Sequence, residues 1–344
     1  MALLLLTAVA AFTLTNCTGD AESADDSAPK YAIALHGGAG VISKSMPDSV
    51  KALYRQGLED ALQTGEKLLR EGAPALDVVE AVIRNLENNP RFNAGRGAVM
   101  TSQGKHELDA AIMDGTNREA GAITGVTTVK NPISLARKVM EESRHILFAA
   151  DGAEKFADQM DVERVENSYF STERRKRQWE RAKERYEGQG TNQPQGSELE
   201  QPVWRDFPSL GTVGCVVLDA EGRLAAGTST GGLTYKEYGR VGDVPIIGAG
   251  TYADSVVAVS ATGTGEEIMR NVSGFHVSAV MQYKDANLEE AANHVIHERM
   301  NPGEAGIICV DSKGTITMPF NTRGMFRAAA NSKGFRQVRI WENE

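Results

Sequence analysis

Residues 211–219 read GTVGCVVLD, and this stretch decides the fold. A glycine and a hydroxyl residue precede an apolar run, which predicts a buried strand that opens at Thr212. A turn at 220–222 and a second strand-like run at 224–230 complete the pattern of a β-hairpin. The preceding residues, 189–210, are polar with scattered Pro and Gly, and we predict a mobile linker there. The buried strand therefore starts directly after a segment that suits cleavage.

Helical and strand patterns occur in blocks on both sides of this hairpin. Apolar residues recur at helical spacing in the segments 47–71, 73–86, 132–142, 152–159, 271–281 and 288–299. Apolar runs predict further strands at 31–35, 108–115, 121–129, 256–260 and 307–310. The charged segment 172–188 is predicted to be a solvated helix. Because strands cluster between paired helices, we predict a layered α+β fold.

The composition limits the classes of function. With 344 residues and 41% hydrophobic content, the chain is long enough to form a sizeable core. The net charge of −9 and the pI near 5.4 argue against nucleic acid as a partner, because such binding relies on Lys and Arg that neutralise phosphates. Cys215 and Cys309 lie in strand-like apolar runs, so we expect no disulfide framework.

The N-terminus predicts export. Residues 2–14 are largely apolar but too few to span a bilayer, which takes about 20 residues. We interpret residues 1–17 as a signal peptide and residues 18–30 as a polar spacer. Cys17 is a candidate for a lipid anchor. The expected location is therefore secreted or periplasmic.

Three clusters of threonine and glycine follow the linker, at 211–214, 228–232 and 262–265. Each one alone suits an ordinary strand end or turn. The position of the first favours self-cleavage, in which the Thr212 hydroxyl attacks the Gly211 carbonyl and the acyl group moves from nitrogen to oxygen. Water then releases an N-terminal threonine, whose α-amino group, with an ordinary pKa of about 8, serves as the base.

Two further groups of residues suit the same reaction. The Thr262 hydroxyl and the Gly263 N–H are predicted to donate to an oxyanion. In the loop 239–243, Arg240 suits an α-carboxylate and Asp243 suits an α-ammonium, so the pair would bind a zwitterion. An internal salt bridge between these two side chains is the alternative interpretation.

Other chemistries fit the sequence less well. Residues 227–231 match G-x-S-x-G and make Ser229 the nucleophile of a serine esterase, but a glycine-rich loop follows where that motif requires a helix. His294 and His297 lie three residues apart on a predicted helix, yet no Glu or Cys completes a metal site. We therefore expect these histidines to have no metal role.

The chain resembles the plant-type L-asparaginases and isoaspartyl peptidases, a branch of the N-terminal nucleophile hydrolases. The motifs that carry the resemblance are HGGAG (36–40), FNAG (92–95), ELDA (107–110), GTVG (211–214), GTSTGG (227–232), GRVGD (239–243), ATGTGE (261–266) and PFNT (319–322). It implies a four-layered αββα sandwich, within one domain over 31–344. An α-chain (31–211, with a variable linker at 166–210) and a β-chain (212–344) would pair, and two such pairs would form a dimer of heterodimers.

The resemblance also implies residue roles that agree with the chemistry above. Thr212 would be the nucleophile, and Thr230 the hydroxyl that hydrogen-bonds to it. The oxyanion donors would be Thr262 and Gly263. The substrate anchors would be Arg240, Asp243 and Gly265. No cofactor would be required. A structural sodium ion is implied on the backbone carbonyls of Leu86, Glu87, Asn89, Phe92, Ala94 and Arg96.

The implied substrates are L-asparagine and β-aspartyl dipeptides, which would release L-aspartate. Glycosylasparaginase is the alternative within the superfamily, but that branch typically carries an acidic residue where this chain has Gly211.

Overall fold

The computed structural model describes residues 28–188 and 211–344. The predicted signal peptide, the Cys17 lipid anchor and the linker over 189–210 lie outside these residues. The helices are α1 (Asp48–Arg70), α2 (Ala75–Asn88), α3 (Pro132–Glu142), α4 (Ala150–Ala157), α5 (Glu173–Gly188), α6 (Gly265–Asn271), α7 (Ser273–Lys284) and α8 (Leu288–Asn293), with a 3₁₀ turn at Asn167–Phe170 and a π-helical turn at His294–Arg299. Among the described residues, no helix combines the length and apolar character needed to cross a membrane.

The strands form two sheets. In spatial order the larger sheet contains β12 (Arg336–Arg339), β11 (Gly324–Asn331), β1 (Ala32–Gly40), β5 (Val213–Leu218), β6 (Leu224–Thr230), β2 (Leu108–Asp114), β3 (Ala120–Val126) and β4 (Leu147–Ala149). The smaller sheet contains β10 (Ile316–Thr317), β9 (Ala305–Asp311), β8 (Val257–Gly263) and β7 (Thr251–Ala253). The predicted hairpin is confirmed, because β5 and β6 pair antiparallel at the centre of the larger sheet.

The layers follow the predicted αββα order. α1, α2 and α3 pack on one face of the larger sheet, the other face packs on the smaller sheet, and α6, α7 and α8 cover the far side. α1 and α2 are held by an apolar face at helical spacing, which includes Leu58, Leu62, Val79 and Val82, all fully buried. The four-layered sandwich is confirmed.

Small side chains separate the two sheets. The cluster between them is rich in alanine, including Ala32, Ala34, Ala226, Ala258 and Ala329, all fully buried. Short side chains bring the sheets together closely enough for threonine and serine hydroxyls on β6 and β8 to meet. The packing of this layer therefore positions the polar groups described below.

Several sequence-based boundaries were wrong. The first strand runs on through the HGGAG motif to Gly40, with a bulge between His36 and Gly38. The helix predicted over 271–281 begins earlier, at Gly265, and is interrupted at Val272, where φ is 46°. β11 and β12 were not predicted, although β11 pairs with β1 along its whole length.

The variable linker predicted over 166–210 is structured in its first part. Phe170 is fully buried in the 3₁₀ turn, and α5 follows. α5 is not solvated on all sides, since Arg175 and Ala182 are buried and the Trp179 Nε1 donates to the Thr101 carbonyl at 2.8 Å. Because α5 is rich in charged residues, its sequence did not reveal that one face packs against the rest of the protein.

The two described cysteines agree with the prediction. Cys215 on β5 and Cys309 on β9 are both buried and free.

Candidate active site

The bond between Gly211 and Thr212 lies against the bulge of β1. Gly211 has a φ of 89° and Gly38 a φ of 113°, both in the region that favours glycine. A Cβ on Gly38 would overlap the Cα of Gly211, and a Cβ on Gly211 would lie 2.5 Å from the Gly37 carbonyl oxygen. Two glycine segments, far apart in sequence, are thus pressed together at the bond that the sequence marked for cleavage.

The Thr212 hydroxyl faces Thr230. Thr212 is 8% exposed and immediately precedes β5, while Thr230 ends the neighbouring strand β6. The Thr212 Oγ1 donates to the Thr230 Oγ1 at 3.2 Å, and the Gly232 N–H donates to the same Thr230 oxygen at 3.0 Å. Thr230 is therefore fixed in place as a partner of the Thr212 hydroxyl.

Thr262 and Gly263 lie at the end of β8, next to the bulge of β1. The Thr262 Oγ1 accepts from the Ala39 N–H at 3.2 Å, which leaves the hydroxyl proton available as a donor. Gly263 has a φ of 144°, and a Cβ there would overlap the Glu304 carbonyl oxygen. Since Ala39 follows Gly38, the structure brings the predicted oxyanion donors to the side of the Gly211–Thr212 bond.

Arg240, Asp243 and Gly265 meet in one place, and sequence reasoning missed a fourth member. The Arg240 Nε and Nη2 each donate to one carboxylate oxygen of Glu266 at 2.9 Å, a bidentate ion pair. A Cβ on Gly265 would lie 2.7 Å from the Arg240 Nη2 and 2.9 Å from the Asp243 Oδ1. Arg240 thus pairs with Glu266 and not with Asp243, so the alternative of a salt bridge within the GRVGD loop was wrong.

Asp243 is a buried carboxyl with an unused acceptor. It is 5% exposed, and no described residue donates to its Oδ2. Burial raises the pKa of Asp243 to about 7, and although the Arg240 charge opposes this, Glu266 and Asp109 add to it. A cationic ligand that donates to this carboxylate would restore its ionised form.

A protein-family model described as "Asparaginase" matches residues 29–340. The chain belongs to this asparaginase family. The resemblance inferred from the motifs is therefore confirmed, and this asparaginase-family chain is a hydrolase.

Three curated relatives illustrate the match. The "Probable isoaspartyl peptidase/L-asparaginase 2" of Arabidopsis thaliana is 46% identical over 323 residues, which cover 91% of this chain and 99% of the relative. The "Isoaspartyl peptidase" of Escherichia coli (strain K12) is 45% identical and covers 87% of this chain and 92% of its own. The "Plant-type L-asparaginase" of Pyrococcus furiosus is 42% identical, with coverage of 86% and 94%. These names do not favour the glycosylasparaginase alternative.

Asn93 supports the turn that follows Thr230 in this asparaginase-family site. Its Nδ2 donates to the Gly232 carbonyl at 2.8 Å, and its Oδ1 accepts from the Val99 N–H at 2.8 Å. Its carbonyl accepts from the Gly231 N–H at 3.1 Å. Asn93 belongs to the FNAG motif, but its individual contacts could not be predicted from sequence.

Ser229 is not placed as an esterase nucleophile. It is fully buried and donates to the Glu87 carboxylate at 2.7 Å. Glu87 also accepts from the Asn131 side chain and the Ile133 N–H at 3.0 Å each, and burial raises its pKa to about 7. Because β6 is followed by turns and not by a helix, the elbow geometry of an esterase is absent after Ser229.

The loop over 86–97 has the shape of a cation cradle. The carbonyl oxygens of Phe92, Ala94 and Arg96 accept no hydrogen bond from any described residue. A Cβ on Gly97, where φ is 102°, would lie 2.6 Å from the Pro90 carbonyl oxygen and 2.8 Å from that of Phe92. Carbonyl oxygens that converge in this way suit a hard cation. Three of the six carbonyls named for sodium are therefore open to such an ion, and the other three already accept from backbone N–H groups, namely those of Leu86, Glu87 and Asn89.

The histidines on the C-terminal helices do not form a metal site. The His294 Nδ1 lies 2.7 Å from the Glu298 carboxylate, and His297 is exposed. Over 28–188 and 211–344, no group of three His, Cys, Asp or Glu side chains could hold a metal ion.

Proposed function

We propose that this chain is an autoprocessed threonine amidohydrolase that releases L-aspartate from β-aspartyl dipeptides and from L-asparagine. One observation carries the proposal. The hydroxyl of Thr212 is held by Thr230, and the preceding Gly211 packs closely against the β1 glycines Gly37 and Gly38. The names of the three relatives support this substrate class.

Self-cleavage would proceed by an acyl shift at this bond. The Thr212 Oγ1 attacks the Gly211 carbonyl carbon, the C–N bond breaks, and the hydroxyl proton passes to the leaving nitrogen. Water then hydrolyses the resulting ester, which frees the Gly211 carboxylate and regenerates the Thr212 hydroxyl. Gly211 adopts its positive φ without strain because it has no Cβ, and the missing side chain leaves its carbonyl accessible to attack.

Turnover would use the amino group that self-cleavage frees. The Thr212 α-amine accepts the hydroxyl proton, and the Oγ1 attacks the side-chain carbonyl of the substrate. The Thr262 hydroxyl and the Gly263 N–H donate to the oxyanion, a role worth about 3 to 4 kcal/mol per donor. The amine or ammonia leaves with a proton from the ammonium, and water releases aspartate from the acyl-enzyme.

Arg240 and Asp243 would select substrates with free α-groups. The guanidinium already pairs with Glu266, and no described residue accepts from its Nη1, so the substrate carboxylate would add to an existing pair. The α-ammonium would donate to the Asp243 carboxylate, whose Oδ1 faces Gly265 and whose Oδ2 has no donor among the described residues. This arrangement restricts substrates to small molecules in which both α-groups are free and the scissile amide is on the side chain.

Matched dipeptides and two variants test the proposed function. The purified enzyme should release aspartate from β-aspartyl-leucine and from asparagine, but not from α-aspartyl-leucine, whose α-carboxylate is blocked. It should also leave glycosylated asparagine largely intact. Thr212→Ala should be inactive, whereas Ser229→Ala should still be processed and active. Activity that survives Thr212→Ala and disappears in Ser229→Ala would instead support the serine esterase.

We also propose a sodium ion on the backbone carbonyls of Leu86, Glu87, Asn89, Phe92, Ala94 and Arg96. Bound there, it would neutralise the carbonyl dipoles and hold Asn93 in place. The three carbonyls without protein partners and the Gly97 cradle support this proposal. Replacing sodium with choline in the buffer should lower the thermal midpoint and activity together, whereas an unchanged midpoint would contradict it.

Export and assembly are further proposals. The apolar segment 2–14 supports a secreted or periplasmic location with Cys17 as a lipid anchor, which cell fractionation and mass spectrometry of the N-terminus would test. We also propose a dimer of α/β heterodimers, which sedimentation equilibrium would test.

A further inference from the structure

A chain of four buried polar side chains ends at the backbone of Thr212. His36 Nδ1 lies 3.0 Å from the Thr212 carbonyl oxygen, and His36 Nε2 lies 3.0 Å from Ser260 Oγ. Ser260 Oγ lies 2.8 Å from Thr228 Oγ1, which in turn lies 2.7 Å from Thr251 Oγ1. All four side chains are fully buried. They alternate between the larger sheet (His36 and Thr228) and the smaller sheet (Ser260 and Thr251).

The direction of every hydrogen bond in this chain follows from its end. A backbone carbonyl can only accept, so His36 Nδ1 must be the donor to Thr212. Burial lowers the pKa of His36 to about 3, so the imidazole is neutral and its Nε2 accepts from the Ser260 hydroxyl.

The two threonine hydroxyls each have a second acceptor, the Gly250 carbonyl at 3.2 Å from Thr228 Oγ1 and the Val244 carbonyl at 3.1 Å from Thr251 Oγ1. The shorter contacts, at 2.8 and 2.7 Å, are those within the set of four side chains and set the direction. Because Ser260 has given its proton to His36, it accepts from Thr228. Thr228 in turn accepts from Thr251. All donors therefore point toward the nucleophile, and hydrogen bonds aligned in this way strengthen one another.

Gly214 leaves the space that these hydrogen-bonded side chains require. It faces His36 in the register between β1 and β5. A Cβ at Gly214 would overlap both the Ser260 Oγ and the His36 Nε2. Glycine is therefore required at position 214 of the GTVG motif for a reason other than cleavage, because any side chain there would displace Ser260 or His36.

The contact matters more after cleavage than before it. Thr212 lies outside the strand ladder, which begins at Val213. In the uncleaved chain, Thr212 is also held in place through Gly211, which packs against Gly37 and Gly38. Once the bond is broken, Thr212 is a chain terminus, and its carbonyl is tied down by a side chain where a strand residue would use a ladder hydrogen bond. Chain termini without such ties fray.

We propose that His36 is a positioning residue, and that Ser260, Thr228 and Thr251 form a one-way relay that orients it to clamp the new N-terminal Thr212. The inference rests on the proposed function, since Thr212 must be the nucleophile for its orientation to matter. His36 touches no substrate and transfers no proton. Its role is to keep the Thr212 hydroxyl aligned with the carbon that it attacks, and the amino group within reach of the hydroxyl proton.

Ser260→Ala tests the relay directly, because it leaves the imidazole in place and removes the hydroxyl that donates to Nε2 and so supports the Nδ1–H tautomer. The matched control is Ser171→Ala. Ser171 Oγ lies 2.9 Å from Nε2 of a second buried histidine, His106, whose Nδ1 lies 3.1 Å from the Val99 carbonyl. We expect both variants to self-cleave. The kcat for asparagine should fall about tenfold or more in Ser260→Ala with KM within about twofold, and should stay within about twofold in Ser171→Ala.

Thr228 provides a second test if Ser260→Ala does not fold. Thr228→Val removes the hydroxyl at nearly constant volume and should lower kcat, and Thr228→Ser should restore it. Nitrogen-15 NMR of the wild-type enzyme should show His36 as the neutral Nδ1–H tautomer at pH 7, and Ser260→Ala should show a mixture of tautomers.

A wild-type His36 in the Nε2–H or charged form would overturn the relay. So would an unchanged kcat in Ser260→Ala and Thr228→Val, or a fall no greater than that of Ser171→Ala. These outcomes are separate from failure of the proposed function. That failure would appear as a wild-type enzyme that releases no aspartate, or as an active Thr212→Ala.

Discussion

Replacing the buried carboxyl of Asp243 with an amide should stabilise the protein as the pH rises. Burial raises the pKa of Asp243 from 3.8 to about 7. A group whose pKa is higher in the folded state contributes stability that is fully present below pH 4 and is lost as the pH rises to 7. Asp243→Asn cannot titrate, so it should not lose this contribution.

The size of the effect follows from those two pKa values. Between pH 5 and pH 8, linkage predicts that Asp243 removes about 2 to 3 kcal/mol from the free energy of unfolding of the parent protein. Glu87, whose pKa burial also raises to about 7, titrates in both proteins and cancels in the comparison. The difference between parent and variant therefore isolates Asp243.

Urea unfolding at pH 5 and pH 8 measures this difference. Both proteins should carry Thr212→Ala, so that a single uncleaved chain unfolds. Asp48→Asn is the control, because the Asp48 side chain is 97% exposed and the change should leave the pH dependence as it is. If Asp243→Asn shows the same loss of stability from pH 5 to pH 8 as its parent, the inference of a buried, proton-binding Asp243 is refuted.

The same titration should appear in catalysis. An ionised Asp243 is needed to hold the substrate ammonium, and a proton competes for it below pH 7. The KM of the processed enzyme for asparagine should therefore rise by up to about tenfold per pH unit as the pH falls below 7. A KM that stays flat from pH 8 to pH 5 would contradict the assignment.

Three substitutions make further predictions. Thr230→Val removes the partner of the Thr212 hydroxyl and should lower kcat about 100-fold in steady-state assays, whereas an unchanged kcat would exclude that role. Arg240→Lys loses the bidentate fork and should raise KM for asparagine more than tenfold with a smaller change in kcat; an equal fall in kcat would place Arg240 in the chemical step. Gly38→Ala would press the new methyl group against the Cα of Gly211, and the appearance of two chains on a denaturing gel should slow about 100-fold. Processing at the normal rate would rule out a role for the close glycine contact.

Local patterns were enough to predict helices α1 to α4 and the central hairpin. The apolar periodicity of α1 and α2 matched the structure to within a few residues, because one face of each helix packs on the larger sheet. β11 was missed because its alanine-rich sequence has no strong strand signal, and its pairing with β1 joins residues about 300 positions apart. Charged α5 was misjudged because Arg175 is buried through hydrogen bonds to the Gly97 carbonyl and Gln178.

The candidate site was predictable where a motif carries its own chemistry. Thr212, Thr230 and Arg240 stand in glycine-rich motifs that require special backbone conformations, so the sequence marks them. Glu266 and His36 act through contacts that only the fold creates. His36 meets Thr212 from 176 residues away, and a lone histidine after a strand gives no sign of such a partner.

The central claim is that Thr212 exposes itself and then acts as the nucleophile. Intact-mass measurement of the purified, denatured protein, combined with N-terminal sequencing of its smaller chain, tests this most directly. We predict two chains, with the smaller one comprising residues 212–344 and beginning at Thr212, and a single inactive chain for Thr212→Ala. A full-length, unprocessed chain that releases aspartate, or a smaller chain that begins at another residue, would contradict the account.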